Sequence, residues 1–208
     1  MHTDLFLVRN ASTEWSRERR VAGRRDLGLS AEGQAQAAEV GERMRGVEIA
    51  EVLTSPVLRA VETAERLAKL HGLEVARDPR LTDLGAGAWE GMKHDEVGVS
   101  EEYKRFLANP LSESIPGGEK LTDARDRLIA SVNQALADNE LGASVVMVSH
   151  AGPLRVLLAH YLGMDLANYH RIRLSPASIT VLRFDSEQGI PRLIAANFTG
   201  ALESALKK

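Results

Sequence analysis

The 208-residue chain contains no cysteine. That excludes disulfides, iron–sulfur clusters and thiolate zinc sites, and agrees with a reducing compartment. A charge excess is missing too: 26 Lys and Arg against 29 Asp and Glu give a formal charge of −3. There is no electrostatic case for nucleic acid or an anionic membrane as partner. No apolar run approaches membrane-spanning length, and the first residues lack the basic and apolar regions of a signal peptide. A cytoplasmic protein is the expectation. Internal repeats, low-complexity tracts and interdomain linkers are absent, and the five histidines other than His150 show no metal-ligand spacing. What is present, 44% hydrophobic residues, is enough for one well-buried domain over 1–208.

Apolar runs alternate with helical patterns. Leu5–Val8, 51–55 and 145–149 read as buried strands, and 171–175, 178–184 and 192–197 as further strands. Ser30 predicts an N-cap for a helix with Ala31, Ala35 and Ala38 on one face. Ser55-Pro56 predicts a second helix start, with serine at N-cap and proline at N1, a stripe of Val57, Val61, Ala64 and Ala68, and Gly72 closing it. Leu121, Ala124, Leu128, Val132 and Ala135 repeat at helical spacing. A last helix runs from Pro153 to about Gly163. This alternation implies right-handed crossovers in an α/β three-layer sandwich, with a mostly parallel central sheet and helices on both faces. The region 84–120, richer in Gly, Pro and charge, reads as a small lid-like insertion over the sheet edge.

The chemistry gathers at predicted element ends, where open α/β sheets bind ligands. Arg9-Asn10-Ala11-Ser12-Thr13 follows the first strand, and Gly23 to Gly33 leads into the first long helix. Ser55-Pro56-Val57-Leu58-Arg59-Ala60-Val61-Glu62-Thr63-Ala64 opens the next. Leu81-Thr82-Asp83 precedes Gly87-Ala88-Trp89-Glu90-Gly91, and Ser149-His150-Ala151-Gly152-Pro153-Leu154-Arg155 follows the clearest buried strand. In this order, these segments resemble the histidine phosphatase (phosphoglycerate-mutase-like) superfamily. Its first motif is Arg-His-Gly/Ala-x-Thr.

The resemblance implies a phosphomonoester hydrolase whose pocket uses Arg9, Arg59 and His150 against phosphate oxygens, with Asp83 in the general-acid position. Arginine forks and a histidine suit charge spread over three oxygens. No metal or other cofactor is needed for that neutralisation. Two positions depart from the family. Asp83 stands where glutamate is usual, one methylene shorter. Asn10 stands where the family has its nucleophilic histidine, and a carboxamide cannot carry a phosphoryl group in its place. Asn10 can still hydrogen-bond phosphate. The expectation is therefore a phosphate-ester pocket with impaired turnover, either a natural pseudo-enzyme or a deliberate inactivating change. The alternatives are a phosphate-sensing or regulatory protein without turnover, and a hydrolase using another nucleophile or a water activated by His150. The phosphatase branch fits better than a mutase, because a mutase must preserve a phosphohistidine and its Glu-Arg-x-Tyr-Gly segment is missing near Asp83. Trp89 reads as lid packing, and Arg24 and Arg25 as a solvated pair. Which small-molecule ester binds is open, and a homodimer through an edge strand is compatible with the pattern.

Overall fold

The computed structural model describes residues 2–140, 142–185 and 190–200. In chain order its strands and α-helices are β1 His2–Arg9, α1 Glu14–Arg17, α2 Ala31–Met44, β2 Glu51–Thr54, α3 Leu58–His71 and β3 Val75–Arg77; α4 His94–Gly98, α5 Glu101–Ala108, α6 Leu121–Asp138, β4 Ser144–Ser149, α7 Ala151–Tyr161, β5 Ile179–Asp185 and β6 Arg192–Phe198 complete the set. The strands form one sheet in the order β3-β2-β4-β1-β5-β6.

The sheet is mixed. β3, β2, β4 and β1 pair in parallel, and β5 pairs antiparallel with both β1 and β6. The mostly parallel expectation holds, with β5 the reversed strand. β1 and β4 lie together at the centre, with Arg9 in register with Ser149. Their carboxyl ends therefore deliver Asn10 and His150 side by side. The strand pattern divides the core. Leu5 and Leu7 face a cluster with Leu128, Val132, Leu154 and Leu157, while Phe6 and Val8 face one with Val40, Met44, Ala64 and Leu67. Both faces of the sheet are thus covered. Each fully buried Leu or Phe contributes on the order of 1.5–3 kcal/mol.

The helices show where side-chain patterning succeeds. All five apolar positions named for the 121–135 repeat are buried in α6, and the 57–68 stripe is buried along α3. Gly72 closes α3 at φ 67°, the left-handed region glycine favours. Other expectations are corrected. Ser30 does cap α2, accepting from Gly33 N–H at 3.1 Å, but the buried face is Gly33, Ala37, Val40, Gly41 and Met44. Ala31, Ala35 and Ala38 are exposed. Ser55 is not the N-cap of α3, which starts after Val57. The free Leu58 N–H is satisfied from a distance by Asp26 Oδ1 at 2.8 Å. The 171–175 segment is not a strand. A 3-10 turn over Leu166–Arg171 precedes it, and Leu174 offers its carbonyl to Arg9 instead of to a neighbouring strand. β3 was absent from the sequence pattern.

The 84–120 segment contains α4 and α5. Its Trp89, Val97, Phe106 and Ile115 join the core cluster that includes α6 and α7. Several of its side chains also wall a cavity at the carboxyl ends of β1 and β4. That end, and not a lateral sheet edge, is what it covers.

Candidate active site

Asn10 sits where β1 leaves the sheet, held by its own N–H to the Ser149 carbonyl at 2.8 Å. The next residues are fixed from three sides. Ala11 N–H donates to Thr63 Oγ1 at 3.1 Å, and Thr63 in turn donates to the Arg59 carbonyl at 2.7 Å. Ser12 N–H reaches Gln36 at 3.0 Å, and Ser30 N–H returns to the Ser12 carbonyl at 3.0 Å. Gly33 permits this approach, since a Cβ there would stand 2.0 Å from Ser12 O. The turn is thereby held against both long helices on its face of the sheet.

Arg9, Asn10, Arg59, Asp83 and His150 all line one cavity of about 330 Å³. Arg59 is almost wholly buried and donates to the Gly23 carbonyl at 2.7 Å, the Arg25 carbonyl at 2.8 Å and Asp83 Oδ2 at 2.8 Å. Arg9 donates to the Leu174 carbonyl, and its buried Nε has no partner among the described residues. The Asn10 amide donates to the Ala11 carbonyl at 2.8 Å. Ser149 donates to the Leu81 carbonyl at 2.7 Å, which brings the Asp83 segment alongside β4. Gly152 follows the same logic: a Cβ would stand 2.8 Å from Leu84 and 3.5 Å from Asp83 Oδ1.

His150 is 1% exposed, and its Nε2 lies 2.7 Å from Ser55 Oγ. Ser55 is fully buried and its oxygen also accepts from Val57 N–H at 3.3 Å. Its hydroxyl hydrogen finds no acceptor but Nε2 among the described residues, and a buried hydroxyl needs one. The imidazole proton is then on Nδ1, which is buried, unpartnered, and 3.7 Å from Asp83 Oδ2. Burial, with Arg59 and Arg9 nearby, holds His150 well below the usual histidine range. It is a neutral donor, and its contact with Asp83 is not an ion pair.

The electrostatics describe a cationic pocket with few internal anions. Burial lowers Arg9 to about 10, helped by the charges of Arg155 and Arg59 and opposed by Asp83. Burial raises Asp83 above the usual carboxylate range despite Arg59. Unpartnered N–H groups on Arg9 and His150, beside crowded guanidinium groups, can receive an oxyanion. Asp83 can hold a proton to higher pH than a solvated carboxylate.

Arg24 and Arg25 do not line the cavity. Half exposed, they pair with Glu119 at 3.1 Å and Glu90 at 3.2 Å, which tie the 23–25 loop to the insertion. Trp89 is buried edge-on against Tyr103 and Phe106, with centroids 5.6 and 5.8 Å away. Arg155, His94, Tyr103 and Tyr169 line the cavity without having been singled out as site residues. For Arg155 a signal existed, because it closes the Ser149–Arg155 motif. For the others no sequence signal was present.

Three comparisons agree with this geometry. Residues 5–197 match the family profile described as histidine phosphatase superfamily (branch 1). A Salmonella choleraesuis protein named probable phosphoglycerate mutase GpmB is 34% identical over 186 residues, covering 88% of this chain and 86% of its own. A phosphoserine phosphatase mutant from Entamoeba histolytica, solved with phosphoserine, has a TM-score of 0.85 at 27% identity. That alignment covers 96% of this chain and 99% of the other. Mycobacterial glucosyl-3-phosphoglycerate phosphatase with VO3 gives a TM-score of 0.84 at 27% identity, covering 93% and 98%.

Proposed function

The chain belongs to the histidine phosphatase superfamily, and from that premise we propose that it is a phosphomonoester-binding protein of the phosphatase branch whose turnover is crippled at Asn10. We treat 1–208 as one such domain with 84–120 as its lid; positions 201–208 lie outside the described residues. The observation that carries the reading is the set of buried, unsatisfied N–H donors on Arg9 and His150 beside Arg59. A phosphate dianion supplies the acceptors they lack. Asn10 adds an amide but no nucleophilic nitrogen, and losing a covalent nucleophile lowers turnover by as much as about a millionfold. Asp83, beside Arg59 and retaining its proton, fits the role of acid for the leaving oxygen. His150 as general base on water fits less well, because its Nδ1 carries the proton.

That related mutant, solved with phosphoserine, supports the view that this fold holds a phosphomonoester in a substituted site. The ligand here is a small-molecule phosphate ester, held in a cytoplasmic protein without a metal or other cofactor. Neither nucleic acid nor membrane is a partner in this reading; among the described residues no helix is long and apolar enough to cross a bilayer. A homodimer through β3 or β6, the terminal strands of the sheet, is compatible with this order.

Titration of the protein with inorganic phosphate and with phosphomonoesters tests binding separately from chemistry. The expected result is saturable binding without release of phosphate. Arg9→Gln should weaken it about tenfold or more, a charge-assisted bond's worth. Arg9 is the suitable position because, unlike Arg59, it makes a single side-chain hydrogen bond within the described fold. Binding that survives Arg9→Gln undiminished would place the anion elsewhere.

A further inference from the structure

The Asp83 carboxyl is tied to its own backbone. Its Oδ1 accepts from the following Leu84 N–H at 2.9 Å, so a side chain this short moves with the main chain that carries it. The other oxygen, Oδ2, is the one that meets Arg59 and faces His150. Wherever the 80–83 segment sits, Oδ2 follows.

Three carbonyls of that segment accept from side chains. Arg127, on α6, donates to the Arg80 carbonyl and, at a longer 3.4 Å, to that of Asp83. Ser149 donates to the Leu81 carbonyl. Arg24 Nε donates to the Asp83 carbonyl at 3.1 Å. Two guanidinium groups thus meet at one oxygen, and like charges so placed repel. Glu119 lies between them. It accepts from Arg127 Nε at 2.7 Å and Nη2 at 2.8 Å, and pairs with Arg24 Nη2 at 3.1 Å. Burial pushes the Glu119 carboxyl up, but the bonds and charge of Arg127, with the charge of Arg24, outweigh it and hold the group below the usual carboxylate range. Glu119 is therefore ionised.

A solvated ion pair would have little consequence. Here the side chains of Glu119 and Arg127 are only 13% and 17% exposed, and their fork is two-pronged. Both arginines give a further N–H to the same carbonyl, where a solvated pair would give it to water. Backbone sets the place of Glu119. Its N–H donates to the Gly85 carbonyl at 3.0 Å, where residues 85–88 cross 116–119. A Cβ on Gly118 would stand 2.6 Å from Gly85 O, and one on Gly87, at φ 48°, 2.1 Å from Pro116 O. The glycines let the two segments touch, two residues from Asp83.

We propose that Glu119 is a positioning residue: by holding Arg24 and Arg127 together on the Asp83 carbonyl, it sets where the Asp83 carboxyl stands against Arg59 and the leaving oxygen. None of Arg24, Glu119 and Arg127 lines the cavity, so the effect runs through Asp83 and not through contact with the ligand. The catalytic part of this rests on the reading of Asp83 as the acid, whereas the clamp can be tested without turnover.

The test follows the Asp83 carboxyl across pH by carbon NMR on the intact protein with carboxyl-labelled aspartate, the signal being assigned by its loss in Asp83→Asn. In Glu119→Gln the midpoint should fall toward the ordinary carboxylate value, because a loosened carboxyl gains water. Arg24→Gln should move it the same way, although loss of a positive charge by itself would raise it. In the Asn10→His background, Glu119→Gln should lower kcat about ten- to hundredfold with KM nearly unchanged, and shift the alkaline limb to lower pH. With Asp83→Asn also present, the same substitution should change kcat by less than about twofold. A thermal melt shows that each variant is folded, and half-exposed Arg24 supplies the comparison if Glu119→Gln does not fold. An Asp83 midpoint unmoved in the folded variants, or a kcat loss just as large without the Asp83 carboxyl, overturns the proposal. Absence of phosphate release from Asn10→His, with the midpoint moving as expected, defeats the phosphatase-site reading and leaves the clamp standing.

Discussion

At the scale of single residues, the proposed site is a phosphate cradle with one atom type missing. Several motif residues have a structural task. Thr63 links the Asn10 turn to Arg59, Ser55 orients His150, and Ser149 draws in the Asp83 segment. Asp83 carries the clearest prediction once a nucleophile is restored in Asn10→His. Its carboxyl is raised by burial, so the protonated form persists above the usual carboxylate range and is lost as pH rises through the raised value. Phosphate release should therefore decline along an alkaline limb that Asp83 sets. Asp83→Asn in that background should lower kcat by about 10²–10⁴-fold and flatten the limb. An unchanged pH profile in the double variant would remove Asp83 from the acid role.

At the scale of elements, the positions that could be read from sequence were those with a local cause. Strands β1 and β4, the α6 repeat, the Ser30 cap and the Gly72 stop all follow from period and capping chemistry. The α2 face was misread because alanine is at ease on a helix surface, so an Ala31-Ala35-Ala38 row carried no burial information. The true stripe includes Gly33 and Gly41, whose task is close approach to Ser12 and to Leu70. Ser55 has the chemistry of a cap, but its hydroxyl belongs to His150, and the Leu58 N–H is capped by Asp26, thirty-two positions before it in sequence. Ile172 and Leu174 alternate as a strand would, yet among the described residues the Leu174 carbonyl is taken by Arg9. Residues that reach the cavity across tertiary distance, His94, Tyr103 and Tyr169, left no local trace. Gly33→Ala tests the coupling of α2 to the Asn10 turn. Backbone cannot yield to a Cβ at 2.0 Å, so the variant should lose about 1–3 kcal/mol in urea unfolding and bind phosphate more weakly. Wild-type stability and affinity in Gly33→Ala would show that the turn is not held in this way.

At the scale of the whole molecule, the fold holds several histidines below their ordinary range, one of them, His150, fully buried. His71, His94, His150 and His160 all lie below the usual histidine range, with burial the largest cause in each. The unfolded chain therefore binds more protons than the folded one once pH drops below about 6.5, so stability is present above that value and is lost as pH falls. Among the acidic side chains Asp83 runs the other way, being raised, and it loses stabilisation as pH climbs above the ordinary carboxylate range. His150, the buried one of the four, dominates this effect, and a urea midpoint that falls between about pH 7 and pH 5 is expected. A midpoint that is flat or rises toward acid would contradict the neutral assignment of His150. The most direct measurement is phosphate release from a panel of phosphomonoesters by this protein and by Asn10→His, side by side. Release by the variant should lie at least about a thousandfold above that of the parent, which binds the same esters without turning them over. Equal release from both, or none from a variant that still binds phosphate, would contradict the claim that this is a working phosphatase site lacking only its nucleophile.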